Sequence, residues 1–571
     1  MQWDVIIVGS GASGLTAAVR AAAGGLRVLV LEKATVFGGT TAISGGGIWI
    51  PGNHLASGSK LADGLDVAQQ YVRTVIGETA SSDTIQMYLE TGPEMVQWLQ
   101  ANSSVEFLLS PKSSDWYPEF AGAKSYGRAL TCREYDGRKL GNWFIRLRSA
   151  RREFNAPGGL MIDIFDLPLM ANMRSLRSLS HFGRLLIRYG VDRLRGFDRG
   201  TRLTMGNALA ARLLRSALDA GVTLENNVAV GGLIQEGARV IGVSTVSAHG
   251  SRTLMARWGV VLASGGFSAN EQMRKTFIPY ADSHISLLPD ENNGDGMNMG
   301  IAAGASLIDQ NLENAMWVVA SRSVREDGYV ARHIHLTDMP KPGCIVVNDR
   351  GERFGNEASV HFVKSMHATG AVPAHIVCDA NFLKKYGMGL VLPGALNLRR
   401  LLNRGYILEA RTVRELASRN GIDPAGLEDS VARVNSYAKV GVDPEFAKGA
   451  TEVDRELGDP RHFPNPCLGQ IKQEPFYAIR VFPGDASTTI GLKVDIHSRA
   501  LDSQGRAIPG LYAVGLDANS IWRGRPPSHG CFIGPAMVQG YVAGRDLEVR
   551  ARARDATDGP CIPHPPPEPV T

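Results

Sequence analysis

The stretch that decides the fold is Asp4-Val5-Ile6-Ile7-Val8-Gly9-Ser10-Gly11-Ala12-Ser13-Gly14. Its first five residues form a short apolar run of mainly β-branched side chains, which is typical of a parallel strand buried on both faces. A glycine-rich loop follows directly. Residues 15–23 are helix-compatible, and residues 26–32 form a second apolar run that ends in an acid. This order predicts a βαβ unit.

The glycines of the loop have the spacing of a dinucleotide-binding turn. The first makes the turn, the second lets the backbone approach a pyrophosphate, and the third lets helix and strand pack closely. The N-terminus of the following helix would face the phosphates. The acid lies 18 residues after the last glycine, where it would accept hydrogen bonds from the adenosine ribose. The residues predicted to bind the dinucleotide here are Gly9, Ser10, Gly11, Ser13, Gly14, Glu32 and Lys33.

A second loop indicates which dinucleotide is bound. It reads Gly38-Gly39-Thr40-Thr41-Ala42-Ile43-Ser44-Gly45-Gly46-Gly47-Ile48-Trp49-Ile50-Pro51. A mobile nicotinamide cofactor does not need this second loop of glycines and hydroxyls, whereas a permanently held FAD has a second phosphate and a ribityl chain to satisfy. The sequence therefore favours FAD, with contacts predicted from Gly39, Thr40, Thr41, Ser44, Gly45 and Gly46.

With this loop the sequence resembles the fumarate reductase and 3-ketosteroid dehydrogenase superfamily of flavoproteins, whose members carry a GGTTA-x-SGG-x-x-W-x-P run. The resemblance is greatest to the 3-ketosteroid Δ1-dehydrogenase branch. It implies an α/β fold in which a discontinuous, Rossmann-like FAD-binding domain carries an inserted α+β substrate domain. Members with covalent flavin have a histidine in this region. There is none between Gly38 and Pro51, so we expect non-covalent FAD.

Later segments resemble the superfamily as well. Residues 257–267 resemble its LATGGF strand, residues 510–519 its GLYAAGND run, and residues 292–300 its NTGDG run at the start of the substrate domain. A proline in the first turn of a helix loses no hydrogen bond, so residues 534–541 predict a helix whose free N–H groups face the flavin edge that gains negative charge on reduction. The further contacts to FAD predicted from these segments are Ser264, Gly265, Asp517, Gly534, Pro535 and Ala536.

The motifs divide the chain into four parts. We predict an FAD-binding domain from residues 1–105, 202–279 and 476–550, and a substrate domain from residues 280–475. Residues 106–201 form an insert that the resemblance covers poorly, and residues 551–571, which are proline-rich, predict a flexible tail. In the substrate domain, the apolar run 316–319 fits either a hydrophobic ligand or the core.

The insert is compositionally distinct. From Arg146 to Arg202 it has twelve arginines against five acids. An apolar stripe beside this charge, from Leu185 to Leu194, has two interpretations. A basic amphipathic segment can lie on an anionic membrane surface, whereas a solvated lid with a core-facing stripe is the more ordinary arrangement, and the one we favour.

The reaction implied by the ketosteroid branch introduces a double bond beside a ring ketone. A base removes the proton next to the ketone, and a hydride passes from the adjacent carbon to flavin N5. The branch binds the ketone oxygen with a tyrosine and a glycine N–H in a TYPGPG-x-x-x-GPA run. Counting along residues 525–536, the glycine falls on Gly530, but the tyrosine falls on Pro526, which has no side-chain donor. Neighbours able to substitute are Arg525, Ser528 and His529.

The proposed base follows an NE(S/A) motif, and this position falls on His361. A neutral imidazole is a competent base near neutral pH, because the reference pKa of histidine is about 6.5. A third family position lies in a DY-x-PE-x-x-G run. There Tyr117 is a candidate proton relay or an aromatic wall, and Trp116 is the alternative occupant of that position.

Two other functions remain open from the sequence. An FAD-dependent alkene reductase of the fumarate reductase type would need cationic groups around a substrate carboxylate, for which Arg523, Arg525, His529 and His361 are candidates. A non-enzymatic binding or escort module is disfavoured by the retained hydroxyls of the second loop. Substrate ring size and the natural electron acceptor are not defined by the sequence.

The composition fits a small-molecule enzyme. The chain has 571 residues, and 61 basic minus 56 acidic residues gives a net charge of +5, too small an excess to indicate nucleic-acid binding. No metal site is predicted, because the six cysteines are scattered without zinc or haem spacing, and we read them as free thiols. With neither a signal peptide nor an apolar span recognised, we expect a cytoplasmic protein, with membrane association as an option.

Overall fold

The computed structural model describes residues 2–558, except 59–60, 78–81, 111–112, 157–158, 164, 167–168, 170–174 and 248–249. The strands are β1 (Gln2–Val8), β2 (Val28–Leu31), β3 (Ile48–Trp49), β4 (Phe107–Leu109), β5 (Ala129–Cys132), β6 (Tyr135–Asp136), β7 (Asn155–Ala156), β8 (Leu160–Met161), β9 (Arg202–Leu203), β10 (Thr223–Glu225), β11 (Ala229–Glu236), β12 (Arg239–Ser247), β13 (Gly250–Leu262), β14 (Ile285–Ser286), β15 (Leu307–Ile308), β16 (Ala315–Val324), β17 (Val330–Ile334), β18 (Cys344–Val347), β19 (Ala374–Asp379), β20 (Leu408–Ala410), β21 (Phe476–Thr488), β22 (Gly491–Leu492), β23 (Arg499–Leu501) and β24 (Ala507–Ala513).

The helices are α1 (Ala12–Ala23), α2 (Leu65–Ile76), α3 (Ser82–Asn102), α4 (Leu176–Leu194), α5 (Met205–Asp219), α6 (Glu271–Phe277), α7 (Asp295–Ala302), α8 (Phe362–Thr369), α9 (Ala380–Tyr386), α10 (Leu398–Asn403), α11 (Val413–Asn420), α12 (Pro424–Val440), α13 (Glu452–Leu457) and α14 (Ile533–Asp558).

The first sheet has the predicted βαβ unit at its centre. Its strands run in the order β10-β2-β1-β13-β12-β11, and β24 adds to the end of β13. Strands β10, β2, β1, β13 and β24 pair in parallel, whereas β12 and β11 continue the sheet antiparallel. The parallel strands end together, because Val8 pairs with Leu31 and with Leu262. In open sheets of this kind ligands bind beyond such carboxyl ends.

Both faces of β1 are buried, as its apolar run predicts. Val5 and Ile7 pack into the core shared with α1, α5 and α14, and Ile6 and Val8 pack into a second core on the other side of the sheet. Helices α1 and α14 approach closely at a glycine. A Cβ on Gly540 would lie 2.2 Å from the backbone oxygen of Ser13, so only glycine allows this contact.

A second sheet carries the opposite wall of the site. Its main order is β17-β16-β21-β19-β18, and β14 and β20 also pair with β21. We expected the chain to return to the FAD-binding domain at residue 476. Strand β21 (Phe476–Thr488) instead forms the centre of the second sheet, and the chain rejoins the first sheet through β23 and β24. An apolar strand pattern cannot tell which of two sheets will take the strand.

The insert places α4 on the surface, and our preferred interpretation of its stripe is wrong. Leu185 is buried, but Leu186, Ile187 and Leu194 are exposed. Helix α4 is held through Leu185 with Ser178 and Asp192, which recur every seven residues and are also buried. His181 and Arg188 also contact the protein, since they pair with Asp166 and Asp136, but most of the apolar stripe faces solvent.

Helix α14 continues to Asp558 and so includes the start of the expected tail, residues 551–571, of which 559–571 lie outside the described residues. Within the described residues, no helix has the length and apolar character needed to cross a membrane. The five described cysteines are buried and free.

Candidate active site

The three glycines of the first loop have different surroundings. Gly9 has a φ of +108°, and a Cβ there would lie 2.1 Å from the oxygen of Ala263. A Cβ on Gly14 would lie 2.2 Å from the oxygen of Gly9. A Cβ on Gly11 would meet only the Oγ1 of Thr41, at 3.9 Å, and would otherwise stand in open space. The turn therefore requires glycine at position 9 and the close packing requires it at position 14, whereas Gly11 keeps the space above the loop free.

The acid after β2 holds this loop in place. The carboxylate of Glu32 accepts hydrogen bonds from Ser10, at 2.6 Å from Oγ and 3.1 Å from N, and from the N–H of Ala34 at 2.9 Å. The next residue, Lys33, pairs with Asp295 at the start of α7, at 2.5 Å. Both predicted residues line the large cavity described below, and they fix the geometry of its rim.

The second loop is tied to the N-terminus of α1. Thr41 Oγ1 accepts a hydrogen bond from the N–H of Ala12 at 2.9 Å. Ser44 Oγ donates to the backbone oxygen of Thr41 at 2.7 Å and accepts from Gly46 N–H at 3.1 Å. Asn292 donates to Thr40 Oγ1 at 3.3 Å. The hydroxyls therefore shape the two loops into one surface.

Asp517 lies behind this surface rather than on it. Its buried carboxylate accepts hydrogen bonds from Ser264 N–H and Oγ and from Gly266 N–H. Burial raises the pKa of Asp517 to about 6. Ser264 Oγ in turn accepts from the N–H of Gly296 at 2.9 Å. Asp517 therefore positions the turn after β13, which is a different task from the expected contact with the ribityl chain.

One large cavity joins the two sheets. It contains about 1890 Å³ of empty space, part of which is open to solvent. Of the predicted cofactor residues, those lining it are Gly9, Ser10, Gly11, Ser13, Glu32, Lys33, Gly39, Thr40, Thr41, Ser44, Gly45, Gly46, Ser264, Gly265 and Ala536. The predicted residues that are not among its lining are Gly14, Asp517, Gly534 and Pro535.

The residues present fit FAD. The cradle at Gly11 is open where a Cβ would fill it. The N-cap residue of α1 is Gly11, which has no side chain to cap the helix, and Thr41 takes up only the N–H of Ala12. Backbone N–H groups at such an end attract phosphate. The cavity extends from there along the carboxyl ends of the parallel strands to the second sheet.

The second sheet supplies an apolar wall. Met316 and Val318 on β16 line the cavity, whereas Trp317 and Val319, which alternate with them, pack into the core of that sheet. The two interpretations of this run are therefore each correct for half of its residues. Other wall residues with apolar side chains are Trp116, Leu287, Ile334, Leu336 and Phe532.

Several polar wall residues were not predicted as site residues. Asn292 and Asp295 belong to the run 292–300, which we had used only to locate a domain, and the spacing of that run could have indicated them. Arg148 and Arg151 come from the insert and also line the cavity. Arg148 pairs with Glu291 at 3.1 Å. These arginines had no motif to single them out among their neighbours.

Gly530 lines the cavity in a conformation that only glycine adopts easily. Its φ is +85°, and a Cβ would lie 2.7 Å from the backbone of Ile48. The loop before it is held at Pro527, whose oxygen accepts hydrogen bonds from Trp116 N–H at 2.9 Å and from Tyr71 OH at 2.7 Å. The backbone of Gly530 is thus fixed against the cavity.

His529 is the titratable side chain of this loop that faces the cavity. It lies deep in the fold, yet its ring is exposed to the empty space. Its Nε2 lies 2.8 Å from where a Cβ on Gly47 would stand. Burial lowers the pKa of His529. By contrast Ser528 directs its hydroxyl to the oxygen of Ser114 at 3.3 Å, which leaves His529 as the available side-chain donor among the expected substitutes.

His361 and Tyr117 lie side by side behind Trp116. Their rings stack at 4.8 Å between centroids, and the Trp116 ring meets His361 edge-on at 6.2 Å. Of the three residues, only Trp116 is among those lining the cavity. The His361 Nε2, the Tyr117 hydroxyl and the Arg525 Nε are buried and have no hydrogen-bond partner among the described residues. Burial, with Lys364 and Arg525 nearby, lowers the pKa of His361 to about 3, so its imidazole is neutral.

A separate buried group could hold a cation. His333, His335 and Asp338 place their ligand atoms within 4.8 Å of one another. His335 also donates or accepts at 2.8 Å with Asp338 and at 2.7 Å with Ser321, and Tyr406 OH lies 2.7 Å from Ser321 Oγ. Asp338, His335, Ser321 and Tyr406 form a hydrogen-bonded chain, whereas the buried Nε2 of His333 has no hydrogen-bond partner among the described residues.

Comparison with known proteins agrees with this geometry. A model of the FAD binding domain family matches residues 4–533. The chain is 35% identical over 563 residues to the 4-oxocyclohex-2-ene-1-carboxylate 5-dehydrogenase of Sinomonas cyclohexanicum, covering 97% of this chain and 95% of that protein. It is 34% identical to the 3-oxosteroid 1-dehydrogenase of Mycolicibacterium smegmatis, covering 97% and 98%.

A solved structure is similar over the same length. The 3-ketosteroid Δ1-dehydrogenase of Sterolibacterium denitrificans, in complex with 1,4-androstadiene-3,17-dione, superposes with a TM-score of 0.89 at 35% identity. The match covers 96% of this chain and 100% of that chain.

Proposed function

The chain belongs to the FAD binding domain family, and from this premise we propose that it introduces a carbon–carbon double bond next to a ring ketone. It is an FAD-dependent oxidoreductase that acts on CH–CH groups. The observation that carries the proposal is the single cavity, which joins the open glycine cradle to an apolar wall and to the backbone of Gly530. The relatives named above act on a ring ketone of one or several fused rings.

When bound, FAD supplies the acceptor for the hydride that leaves the carbon β to the ketone. We propose that the Gly9–Ser13 loop and the N-terminus of α1 bind its pyrophosphate, that Glu32 binds its ribose, and that the second loop binds its ribityl chain. The FAD is held without a covalent bond, because the loop 38–51 has no histidine. Acid precipitation of the protein should release all of the yellow colour into the supernatant.

The ketone oxygen needs two donors to stabilise the enolate. We propose the N–H of Gly530 as one donor and the imidazole N–H of His529 as the other, in place of the hydroxyl that Pro526 lacks. A neutral imidazole is a suitable donor, and burial lowers the pKa of His529 and so keeps it neutral. Donors fixed in advance in a dry site commonly contribute 10²–10³-fold to the rate.

The proton next to the ketone needs an acceptor. We propose His361 as the base with Tyr117 as its relay, because both carry a buried polar atom without a hydrogen-bond partner among the described residues, directly behind the cavity-lining Trp116. Burial raises the pKa of Tyr117, and the positive charge of Arg525 acts in the opposite direction. Arg525 therefore favours a transient negative charge on the tyrosine oxygen. Trp116 and the β16 side chains exclude water from the path.

The substrate experiment is an anaerobic titration of the purified yellow protein. We expect 3-ketosteroids, cyclohexanones or oxocyclohexane carboxylates to bleach the flavin absorbance without NAD(P)H. If carboxylated cyclohexanones bleach it and the uncharged ketones do not, Arg148 or Arg151 is indicated as the carboxylate contact. A protein that no cyclic ketone bleaches would contradict the proposal.

Reduction of an alkene is the alternative direction, and the geometry gives it less support. Of the four groups considered for a carboxylate clamp, only His529 is among the residues lining the cavity. The guanidinium of Arg523 is engaged with Asn311 at 3.0 Å and with the oxygen of Gln310 at 2.7 Å. Turnover of unsaturated acids with a reduced dye, without any bleaching by ketones, would favour the alternative.

We also propose how the parts of the chain divide the work. The first sheet and its helices form a discontinuous, Rossmann-like FAD-binding domain, and the second sheet forms an inserted substrate domain that extends to the end of β21. The insert 106–201 lies over the cavity and contacts a membrane surface. In limited proteolysis, bound FAD should protect the cleavage sites at Arg148 and Arg151 together with those in the first sheet.

A further inference from the structure

The end of β17 places two histidines on the side of the strand that faces away from the cavity. The sequence there reads His333-Ile334-His335-Leu336-Thr337-Asp338. Ile334 and Leu336 line the cavity, and successive side chains of an extended chain point to opposite sides. His333 and His335 therefore share the reverse side of this cavity wall.

An acid joins the two histidines to form a group of three possible ligands. The Oδ2 of Asp338 lies 2.8 Å from Nδ1 of His335 and 3.6 Å from Nε2 of His333. The three ligand atoms all lie within 4.8 Å of one another. Ligands of a tetrahedral zinc ion, at about 2.0–2.1 Å from the metal, are themselves about 3.3–3.5 Å apart. Shifts of about 1 Å would therefore let the three atoms surround one ion.

His333 carries an observation that the hydrogen bonds of the group do not explain. Its Nε2 is buried and has no hydrogen-bond partner among the described residues. Buried polar atoms in proteins are nearly always paired. The carboxylate of Asp338 is already engaged with Nδ1 of His335 through a shared proton. A cation between the three atoms would replace that proton and would also satisfy His333.

We infer that His333 Nε2, His335 Nδ1 and Asp338 Oδ2 bind one divalent transition-metal ion, with Zn²⁺ as the best match. Two imidazoles and one carboxylate, with water in the fourth position, form a ligand set that zinc adopts in proteins. Mg²⁺ and Ca²⁺ match less well, because they prefer oxygen ligands. The side chain of His333 is 25% exposed, which gives the ion a path from solvent.

The surrounding hydrogen bonds orient two of the ligands. Metal-binding histidines usually donate their other ring N–H to a neighbouring acceptor, and Nε2 of His335 lies 2.7 Å from Oγ of the buried Ser321. The carboxylate of Asp338 accepts hydrogen bonds from the N–H groups of Met339, at 3.0 Å, and Gly389, at 2.8 Å. His335 and Asp338 are therefore positioned before an ion arrives, and His333 is the ligand that completes the site.

The ion would connect the cavity wall to the loop after α9. Strand β17 lies at one end of the main order of the second sheet, where it pairs with β16. Asp338 is bonded to Gly389 in that loop, so an ion shared with His333 would hold the end of β17 in place. Ion binding should therefore raise the thermal stability of the FAD-loaded protein. This inference goes beyond the proposed dehydrogenation and does not depend on it.

The experiment is a calorimetric titration of the FAD-loaded protein with Zn²⁺, after a chelator has removed bound metal and has itself been dialysed away. We expect saturable binding of one equivalent and a rise in melting temperature. His333→Ala should weaken this binding at least tenfold, and His333→Cys should restore it, because a thiolate also binds zinc. The matched control is His54→Ala, which removes an exposed imidazole beside Gln100 of α3 and should bind like the parent protein.

Co²⁺ provides a test of the ligand geometry. The parent protein loaded with Co²⁺ should show the absorption bands of a tetrahedral site at wavelengths longer than those of oxidised flavin, and His333→Ala should not. Ser321→Ala removes only the partner of His335 Nε2, so it should weaken Zn²⁺ binding 10–100-fold while keeping the tetrahedral bands at saturation.

Flavin content and far-ultraviolet circular dichroism are measured on every variant. Both should be unchanged in His333→Ala, because the buried Nε2 of His333 has no hydrogen bond to lose. If His333→Ala does not fold, His333→Cys and Ser321→Ala decide the question. Three outcomes would overturn the inference: no saturable Zn²⁺ binding by the parent protein, equal binding by the parent and His333→Ala, which would indicate an adventitious ion only, or Co²⁺ bound without tetrahedral bands.

Discussion

Gly11 precedes α1 and Gly14 lies three residues later in its first turn, and a methyl group at each should have a different effect. At Gly11 it would stand in the cavity, and at Gly14 it would strike the oxygen of Gly9. Gly11→Ala should leave the melting temperature of the apoprotein unchanged while weakening FAD binding at least tenfold. Gly14→Ala should destabilise the fold by about 1–3 kcal/mol. Thermal melts of the apoproteins and fluorescence titration with FAD measure both; equal behaviour of the two variants would refute the assigned roles.

His361 has a test at the same scale. Loss of a general base typically lowers the rate 10²–10⁴-fold, so His361→Ala should retain FAD and fold while losing most of kcat. Because burial lowers its pKa to about 3, protonation of His361 should not reduce the rate of the parent enzyme between pH 8 and pH 5. Unchanged kcat in His361→Ala would exclude it as the base. Tyr117→Phe is the companion variant, and it should lower kcat less if Tyr117 only relays the proton.

His529 has a different expected signature. His529→Ala should lower kcat about 10²-fold with normal flavin content, and His529→Gln should restore part of it, because the amide retains an N–H donor. Pre-steady-state bleaching rates separate this effect from substrate binding. If both variants bleach at the rate of the parent, the second donor is another group.

The contact between α1 and α14 links packing to the site at the scale of elements. A methyl group on Gly540 would strike the backbone of Ser13, one turn from the cradle. Gly540→Ala should therefore cost about 1–3 kcal/mol of stability and also weaken FAD binding. Gly183→Ala on α4 is the matched control, because a Cβ there meets nothing within 4 Å; it should be neutral or stabilising. Chemical denaturation of both variants is the measurement.

Elements near the first loop were predictable, whereas two others were not. The order β1-α1-β2 follows from an apolar run, three spaced glycines and an acid, all local signals. Strand β21 is apolar in either sheet, and its place depends on pairing with residues between 66 and 199 positions away, such as Ala410 opposite Phe476 and Ile285 opposite Gly484. The buried side of α4 is the one that carries Ser178, Leu185 and Asp192. Hydrophobic periodicity could not indicate this, because the opposite side of the helix is the more apolar one.

The same division holds for the site across the whole molecule. Residues in spaced motifs, such as Thr41 and Gly530, could be predicted to lie together because a motif ties them to one ligand. The cavity-facing positions of Arg148 and Arg151 could not, since they depend on how the insert folds over the cavity. The position of His361 behind Trp116 is also a property of packing and not of spacing.

Buried histidines should make the whole molecule sensitive to acid. Burial lowers the pKa of His284 and His361 to about 3 and of His375 to about 4, while Asp517 has its pKa raised to about 6. Near pH 5 the unfolded chain binds three protons more on the histidines and the folded chain binds one more on Asp517. The net uptake of about two protons lowers the free energy of unfolding by about 3 kcal/mol per pH unit.

This stability is fully present above pH 6.5 and is lost as the pH falls toward 4. Denaturation midpoints of the apoprotein between pH 7 and pH 5 give the slope. His375→Gln should reduce it by about one proton. A midpoint that does not change over this range would contradict the buried, neutral state of these histidines.

The pairing of β13 with β24 has a consequence for how such enzymes change. Leu262 lies beside Ala513, so the chain leaves the first sheet and returns to it at neighbouring positions, with the second sheet in between. A segment attached at two adjacent points can be exchanged without altering the strand order of its host. The substrate domain can thus be replaced while the FAD-binding domain is kept. A chimaera that takes residues 285–488 from a relative should keep its yellow colour and acquire that relative's specificity for ketones.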